Sequence, residues 1–229
     1  MKIISSYAVD IQNADTIFNE TIKIYNDAIS FCVKAFEDSW SVLKNIPSKH
    51  KERFQFAENL IHTTKKNKPV YKNFDILFKK LPSYLRRDVI TIALGYVSSY
   101  HSNLKNWEKN GKKGNKPTFQ IQQNKLPTFY RDNMYLEGKK TNTAQLKLFV
   151  KKDWVWVTFK LRPRDVKSIE KHKAVDGKMS APTLSRKRGK WSLRFAFEKN
   201  VTLNDTPIQD QTVLAVDLGI NTDATCSEV

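Results

Sequence analysis

The stretch KNGKKGNKP, residues 109–117, separates two parts of the chain that differ in pattern. Before it, apolar residues recur at helical spacing, and the longest predicted helix opens at Pro82 or Ser83 and runs to Lys109. After it, short alternating runs predict strands at 118–121, 133–136, 145–150, 154–161, 181–185 and 190–198, with a short basic helix at 165–173. Another alternating run, residues 2–11, predicts a strand ahead of the helices. One strand, a helical block and many strands together predict an α+β fold, a β-barrel or sandwich interrupted by helices.

Local signals predict how the helices begin and end. Asn13 or Asp15 is expected to cap the first helix, Pro47 to stop it, and Ser48 to cap a second helix. Gly95 lies inside the longest predicted helix, where glycine costs about 1 kcal/mol relative to alanine. We therefore expect either a close neighbour or a bend at Gly95.

The predicted strand 154–161 has two different faces. One face is apolar, and its residues are Val155, Val157, Phe159 and Leu161. The other face mixes aromatic, polar and cationic side chains, and its residues are Trp154, Trp156, Thr158 and Lys160.

The charge balance indicates a polyanion partner. The 229 residues include 40 Lys and Arg and 23 Asp and Glu, a net charge of +17. Residues 1–40 hold 3 basic and 6 acidic residues, so the excess lies in the rest of the chain. Because 11% of the residues are aromatic, the chain is expected to fold rather than to form a basic tail. We favour nucleic acid over a merely solvated basic surface.

The cysteine content, the histidine spacing and the hydropathy exclude further classes of protein. Cys32 and Cys226 are too few for a disulfide scaffold, no CxxC occurs, and Cys32 is expected in the core. The 4 histidines show no spacing typical of metal ligands. No apolar run approaches the roughly 20 residues that a membrane helix needs. The N-terminal residues do not resemble a signal peptide, so we expect a reducing cytoplasm, close to the nucleoid, and no membrane partner.

Three groups of cations are candidates for phosphate contacts. Arg86 and Arg87 lie in the first turn of the long predicted helix, where the helix dipole disfavours cations. A salt bridge to Asp88 or to another carboxylate is the alternative explanation. A predicted hairpin turn and the residue after it supply Arg186, Lys187, Arg188 and Lys190. The linker supplies Lys112, Lys113 and Lys116.

The motif TVLAVDLGINTDAT, residues 212–225, predicts a buried strand with a carboxylate, Asp217, at its end. Gly219 favours a sharp turn there, and a second strand is expected to start at Ala224. Such an Asp faces a metal in RNase H-like nucleases and a phosphate in sugar-kinase and actin-like (ASKHA-type) ATPases. A plain strand-turn-strand is the structural alternative. Because the motif lies within the last 18 residues, the body of the ATPase is not present in this chain.

The chain resembles the N-terminal part of TnpB-type proteins, the OrfB-class transposon-encoded RNA-guided nucleases related to type V CRISPR effectors. The resemblance rests on LPSYLRR at 81–87, GNKPTF at 114–119, PTLS at 182–185 with GKWSL at 189–193, and VDLGINTDAT at 216–225. The last of these is similar to the first RuvC-like motif and is the most specific.

The resemblance implies three regions. Residues 1–12 and 113–210 would form a wedge-type β-barrel, residues 13–112 an inserted helical recognition domain, and residues 211–229 the start of a RuvC-like nuclease domain. The partners implied are a guide RNA and a target DNA, held as an RNA–DNA heteroduplex whose backbone the protein grips.

The resemblance also implies a Mg²⁺ site that this chain does not complete. In the family, a later Glu, a later Asp and a zinc ribbon follow the first motif, and none of them occurs in this sequence. One carboxylate, Asp217, does not hold two Mg²⁺ ions, so we expect binding without cleavage by this chain alone. We interpret the chain as a truncated product, or as one whose remaining nuclease elements come from a separate chain. The alternatives are a DNA-binding transposition accessory without guide RNA and, more weakly, an ASKHA-type ATPase fragment.

Overall fold

A computed structural model of the chain describes residues 2–14, 16–46, 50–138, 142–175, 178–202, 214–217 and 225–228. Two compact units are distinguished, one of Ile4–Glu198 and one of Met1–Ile3 with Lys199–Val229. The predicted stop at Pro47 and the predicted cap at Ser48 lie outside the described residues.

The elements follow the predicted order of strand, helices and strands. The helices are α1 (Asn19–Asp38), α2 (Trp40–Leu43), α3 (His50–Ile61), α4 (Asn73–Leu77), α5 (Ser83–Lys109) and α6 (Pro163–Val175). The strands are β1 (Lys2–Asp10), β2 (Tyr135–Glu137), β3 (Thr143–Val150), β4 (Asp153–Lys160), β5 (Lys178–Met179), β6 (Thr183–Lys187), β7 (Lys190–Asn200), β8 (Leu214–Asp217) and β9 (Thr225–Glu228). The chain is therefore α+β, as predicted.

The strands form antiparallel sheets. One sheet has the order β1-β7-β5, with β6 paired to β7, a second has the order β2-β3-β4, and β8 pairs with β9. A single bridge, Ile11 to Leu161, joins the first two sheets just beyond the ends of β1 and β4. Among the described strands these sheets are open, and none closes into a barrel.

Helices α1 and α5 pack side by side and form the helical part of the core. The Tyr25 hydroxyl donates to Asp88 Oδ2 over 2.5 Å near one end of the pair, and His101 Nε2 lies 2.8 Å from Glu37 Oε2 near the other. In both contacts the earlier residue of α1 meets the earlier residue of α5 and the later one meets the later. The two helices therefore run in the same direction. Their buried residues include Ile29, Cys32, Phe36, Leu85, Val89 and Ala93.

The start of the first helix differs from the prediction. Asn13 has φ 54° and α1 begins at Asn19, with Phe18 at the N-cap and no side-chain cap. Phe18 is completely buried, and its ring lies 5.3 Å from Phe159 and 5.1 Å from Trp191. The buried Phe18 ring, between α1 and both sheets, therefore sets the start of α1. Its burial contributes more free energy than a capping side chain, which contributes about 1 kcal/mol.

The predicted strand at 118–121 is wrong. These residues belong to no strand, and they lie along α5 instead. Phe119 stacks on Tyr100 with ring centroids 3.9 Å apart, and the Gln122 backbone N–H donates to the Tyr96 hydroxyl over 3.1 Å. The alternation of this short segment therefore reflects contacts with a helix.

Within α5, one of the two alternatives expected at Gly95, a close neighbour, is wrong. A Cβ atom placed on Gly95 would meet nothing within 4 Å, and the residue is exposed. The helix itself begins and ends where the pattern predicts, at Ser83 and Lys109.

Candidate nucleic-acid interface

The hairpin formed by β6 and β7 places four predicted cations at and beside its turn. Arg188 and Gly189 have φ 49° and 78° and form a two-residue turn, so the turn is shorter than the predicted 186–189. Arg186 lies opposite Trp191 in the register, and its guanidinium is 4.9 Å from the indole centroid. The ring fixes this cation, while all four predicted side chains are exposed: Arg186, Lys187, Arg188 and Lys190.

The two arginines at the start of α5 have different surroundings. Arg86 is half-buried, and its Nε donates to Glu58 Oε1 over 3.2 Å. The alternative of a salt bridge therefore holds for Arg86, with Glu58 as the partner. Arg87 is exposed and lies 5.6 Å from the Tyr84 ring, which stacks on Tyr130. Only Arg87 of this pair is available to a phosphate.

The linker lysines follow the C-terminal end of α5. Lys112 has φ 57°, and its ammonium lies 6.0 Å from the centroid of Trp107. Lys113 and Lys116 are exposed. Within the described part of the chain, none of these three lysines, Arg87 or the four hairpin cations lies within 4.0 Å of a carboxylate.

A second basic hairpin, the turn between β3 and β4, is absent from the predicted site residues. Lys151 and Lys152 have φ 50° and 67°, and Val150 pairs with Asp153 across the turn. A two-residue turn of this kind favours Asn-Gly, whereas lysine is strained in the left-handed region. The available signal was a Lys-Lys pair between two strand-like runs.

The same turn lies beside a second pair of lysines, Lys79 and Lys80. Lys80 Nζ lies 3.3 Å from Asp153 Oδ1, and Lys80 itself has φ 59°. The Trp154 backbone N–H, the Lys80 ammonium and the charge of Lys79 hold the pKa of Asp153 below its ordinary value. Two lysines of a distant segment, Lys79 and Lys80, therefore stabilise the charge of Asp153 beside the turn.

Helix α6 carries a further basic row. Arg164, Lys167 and Lys171 are exposed and spaced by three and four residues, which puts them on one face of the helix. The opposite face is anchored by Ile169, which is buried. The predicted short basic helix is confirmed, and this row was not among the predicted site residues.

Other titratable groups serve the fold. Burial raises the pKa of the Cys32 thiol, which lies in the core as predicted. Burial also raises the pKa of Asp88, and hydrogen bonds from Tyr25 and from the Thr128 backbone only partly oppose this. His62 pairs with Asp75 at 2.9 Å, and the ring of His172 stacks on Tyr7.

The described residues of the Asp217 motif belong to two paired antiparallel strands, β8 and β9, and the predicted turn at Gly219 lies outside the described residues. Asp217 is the last residue of β8 and pairs with Thr225, the first residue of β9, one residue after the predicted start. Within the described residues no three His, Cys, Asp or Glu side chains form a group suited to a metal ion. The described residues therefore supply no set of ligands for Mg²⁺.

The comparisons with known proteins give a family. The model of the Aq_aa04 family matches residues 5–150, more than half of the chain, and the chain belongs to that family. No curated protein matches the chain. The matched residues include Arg86, Arg87 and the linker lysines, whereas the β6–β7 hairpin follows them. A separate observation concerns hydropathy: among the described residues, no helix combines the length and the apolar character that a membrane crossing requires.

Proposed function

We propose that this chain binds RNA and RNA–DNA heteroduplex as the recognition part of a TnpB-like, RNA-guided DNA endonuclease. The observation that carries the proposal is the set of exposed cations that have no carboxylate partner in the described part of the chain. Several of them are held over aromatic rings, including Arg87, Lys112 and Arg186. Such an arrangement is typical of proteins that follow a phosphate backbone.

The distribution of the cations favours a long ligand. They occupy the β6–β7 turn, the start and end of α5, the β3–β4 turn and one face of α6. A small anion needs one cluster of donors, whereas a nucleic acid backbone meets many separate cations. Under this proposal the open sheets belong to a wedge domain and the helices to a recognition domain, with boundaries at residues 12–13, 112–113 and 210–211.

Under the same proposal, Asp217 is the first carboxylate of a RuvC-like site that further carboxylates complete. Its position at the end of β8 is consistent with that role. Such a completed site, with Asp217 and the further carboxylates as ligands, would hold Mg²⁺ for phosphodiester hydrolysis. The guide RNA, the target DNA, a second chain that supplies the missing elements and a location at the nucleoid are parts of this proposal.

The first experiment is to express the chain and identify the nucleic acid that copurifies with it. We expect RNA, recognised by its loss on RNase treatment and its survival on DNase treatment. The affinity of the stripped protein for RNA should fall steeply with salt. Clean protein without salt-dependent RNA affinity would refute the proposal. Binding to duplex DNA with no affinity for RNA would favour the transposition accessory, and nucleotide binding would favour the ATPase fragment.

A matched pair of variants locates the interface. Arg186→Ala/Lys187→Ala/Arg188→Ala removes three hairpin cations, and the salt slope of RNA binding should fall by about one for each lost contact. The control variant removes three exposed lysines of the first helices. Its changes are Lys23→Ala and Lys34→Ala in α1 and Lys44→Ala directly after α2. Equal losses in both variants would show that the net charge matters and the hairpin does not.

A further inference from the structure

One face of the β2-β3-β4 sheet combines an exposed tryptophan with a lysine. In the register Lys147 lies opposite Trp156, and its ammonium is 6.0 Å from the Trp156 ring centroid. Trp156 is 41% exposed. The structure describes all five tryptophans, and Trp156 is the one among them that is exposed.

On one side of this pair, the next rung of the same face is aromatic, formed by Phe149 and the buried Trp154 with ring centroids 5.3 Å apart. On the other side the rungs are polar. Gln145 lies opposite Thr158, and its Nε2 donates to Thr158 Oγ1 over 3.3 Å. One rung further, Lys160 is exposed at the end of β4. Since alternate residues of a strand share a face, Lys147, Trp156, Thr158 and Lys160 lie on one surface that spans about 13 Å along the strand. Its members are charged, polar or aromatic, so the face is not an uncovered piece of core.

The chemistry of this face fits an unpaired nucleotide. A base offers Trp156 a flat ring, the phosphate beside it suits the ammonium of Lys147, and Gln145 and Thr158 supply groups for base edges. Bases inside a duplex are already stacked on one another, so a ring on a flat sheet reaches only an unpaired one. A protein partner would bury Trp156 equally well, but it would leave the two lysines without a designated counter-charge.

We propose that the outer face of β3 and β4 stacks an unpaired base of the bound RNA on Trp156, with Lys147 at the adjacent phosphate. This inference rests on the proposed RNA-binding function and adds a single-strand subsite to it. The site differs in its chemistry from the cationic turns, because stacking on Trp156 depends little on salt and Lys147 adds a single salt-dependent phosphate contact.

The test compares Trp156→Leu with Trp156→Phe on a single-stranded RNA 12-mer and on an RNA duplex. Stacking contributes a factor of about 5–150 per base, so Trp156→Leu should weaken single-strand binding by that factor while its salt slope stays unchanged. Trp156→Phe should retain most of the affinity, and duplex binding should not change. Lys147→Ala should instead lower the salt slope, by about 0.7. Ile76→Ala, which truncates another exposed apolar residue, is the control and should bind as wild type.

Three outcomes overturn the inference. Equal single-strand affinity of Trp156→Leu and wild type excludes stacking while the RNA-binding function stands. An equal loss for single strand and duplex excludes an unpaired-base subsite. Wild-type protein that binds no RNA refutes the subsite and the proposed function together. Should Trp156→Leu fail to fold, quenching of tryptophan fluorescence by oligouridine decides the matter, since Trp156→Phe should lose part of the quenching. Unchanged quenching would point to a protein partner at this face.

Discussion

Replacing the strained turn Lys151-Lys152 by Asn-Gly should stabilise the fold and weaken RNA binding. Both lysines have positive φ, and Asp153 and Val150 close the strand pairing around them. The Lys151 backbone N–H donates to Glu20 Oε2 over 3.0 Å, a bond that asparagine keeps. Because no hydrogen bond or ion pair of either lysine ammonium holds the turn in the described structure, the exchange acts on the backbone alone.

The magnitude follows from the two dihedral angles. A left-handed conformation costs an ordinary residue about 1–2 kcal/mol, and glycine avoids that cost but gives back about 0.5–1 kcal/mol as entropy of the unfolded chain. Asparagine tolerates the left-handed region better than lysine. The net gain is about 1 kcal/mol, which corresponds to a rise in Tm of about 2–4 °C for a chain of this size. Two lost phosphate contacts would weaken single-strand binding about 25-fold at 0.1 M salt, relative to a 1 M reference.

The assay measures thermal melting and RNA affinity on the same preparations. Lys151→Arg/Lys152→Arg is the matched control, which keeps both charges and should keep the affinity. A Tm that stays equal or falls in the Asn-Gly variant would refute the argument from strain. A raised Tm with unchanged RNA affinity would refute the assignment of these lysines to the interface.

Three further predictions concern single side chains. Arg86→Ala should lower the free energy of unfolding by about 1–3 kcal/mol in a denaturant titration, because it leaves Glu58 without its partner. Arg87→Ala should lower RNA affinity instead. A loss of affinity in Arg86→Ala and a loss of stability in Arg87→Ala would contradict these two roles. Asp165 has its pKa lowered: burial alone would raise it, but bonds from Arg162 and the Asp10 backbone outweigh burial. The ionised Asp165 therefore stabilises the fold above about pH 4, and this stabilisation is lost as the pH falls further. The melting temperature of Asp165→Asn should consequently fall less on acidification than that of wild type. Tyr25→Phe should cost about 1–3 kcal/mol at pH 7, and a melting temperature equal to that of wild type would exclude a stabilising bond to Asp88.

Periodicity was sufficient to predict the elements that span several turns or rungs. Helix α5 and strands β3, β4 and β7 each repeat their pattern often enough to define a period. Arg188-Gly189 was placed near a turn because glycine marks a positive φ. The α+β class followed from the order of these elements and required no contact information.

The remaining features depend on contacts between distant segments. The segment at 118–121 alternates like a strand, but the rings of Tyr96 and Tyr100 decide that it lies along α5. Glu58 lies 28 residues before Arg86, so no local pattern indicates that pair. The Lys151-Lys152 turn contains no Gly, Asn or Asp that would predict a positive φ. The register of β3 and β4 alone imposes the positive φ of these two lysines.

The positive-φ residues connect the charge of the sequence with the shape of the surface. In the part of the chain that the structure describes, eight non-glycine residues have positive φ. Three are Asn or Asp, which this region favours, and the other five are Lys80, Lys112, Lys151, Lys152 and Arg188. Each of these five costs stability that Gly or Asn would recover. Under the proposed RNA-binding function, strain recurs at cations in four separate turns because the charge contributes to binding there. A turn holds its side chains away from the sheet or helix, which is the place where a cation reaches a phosphate without burying other charges. The net charge of +17 is thus partly arranged at strained turns, as expected of a surface that follows a polyanion over several nucleotides.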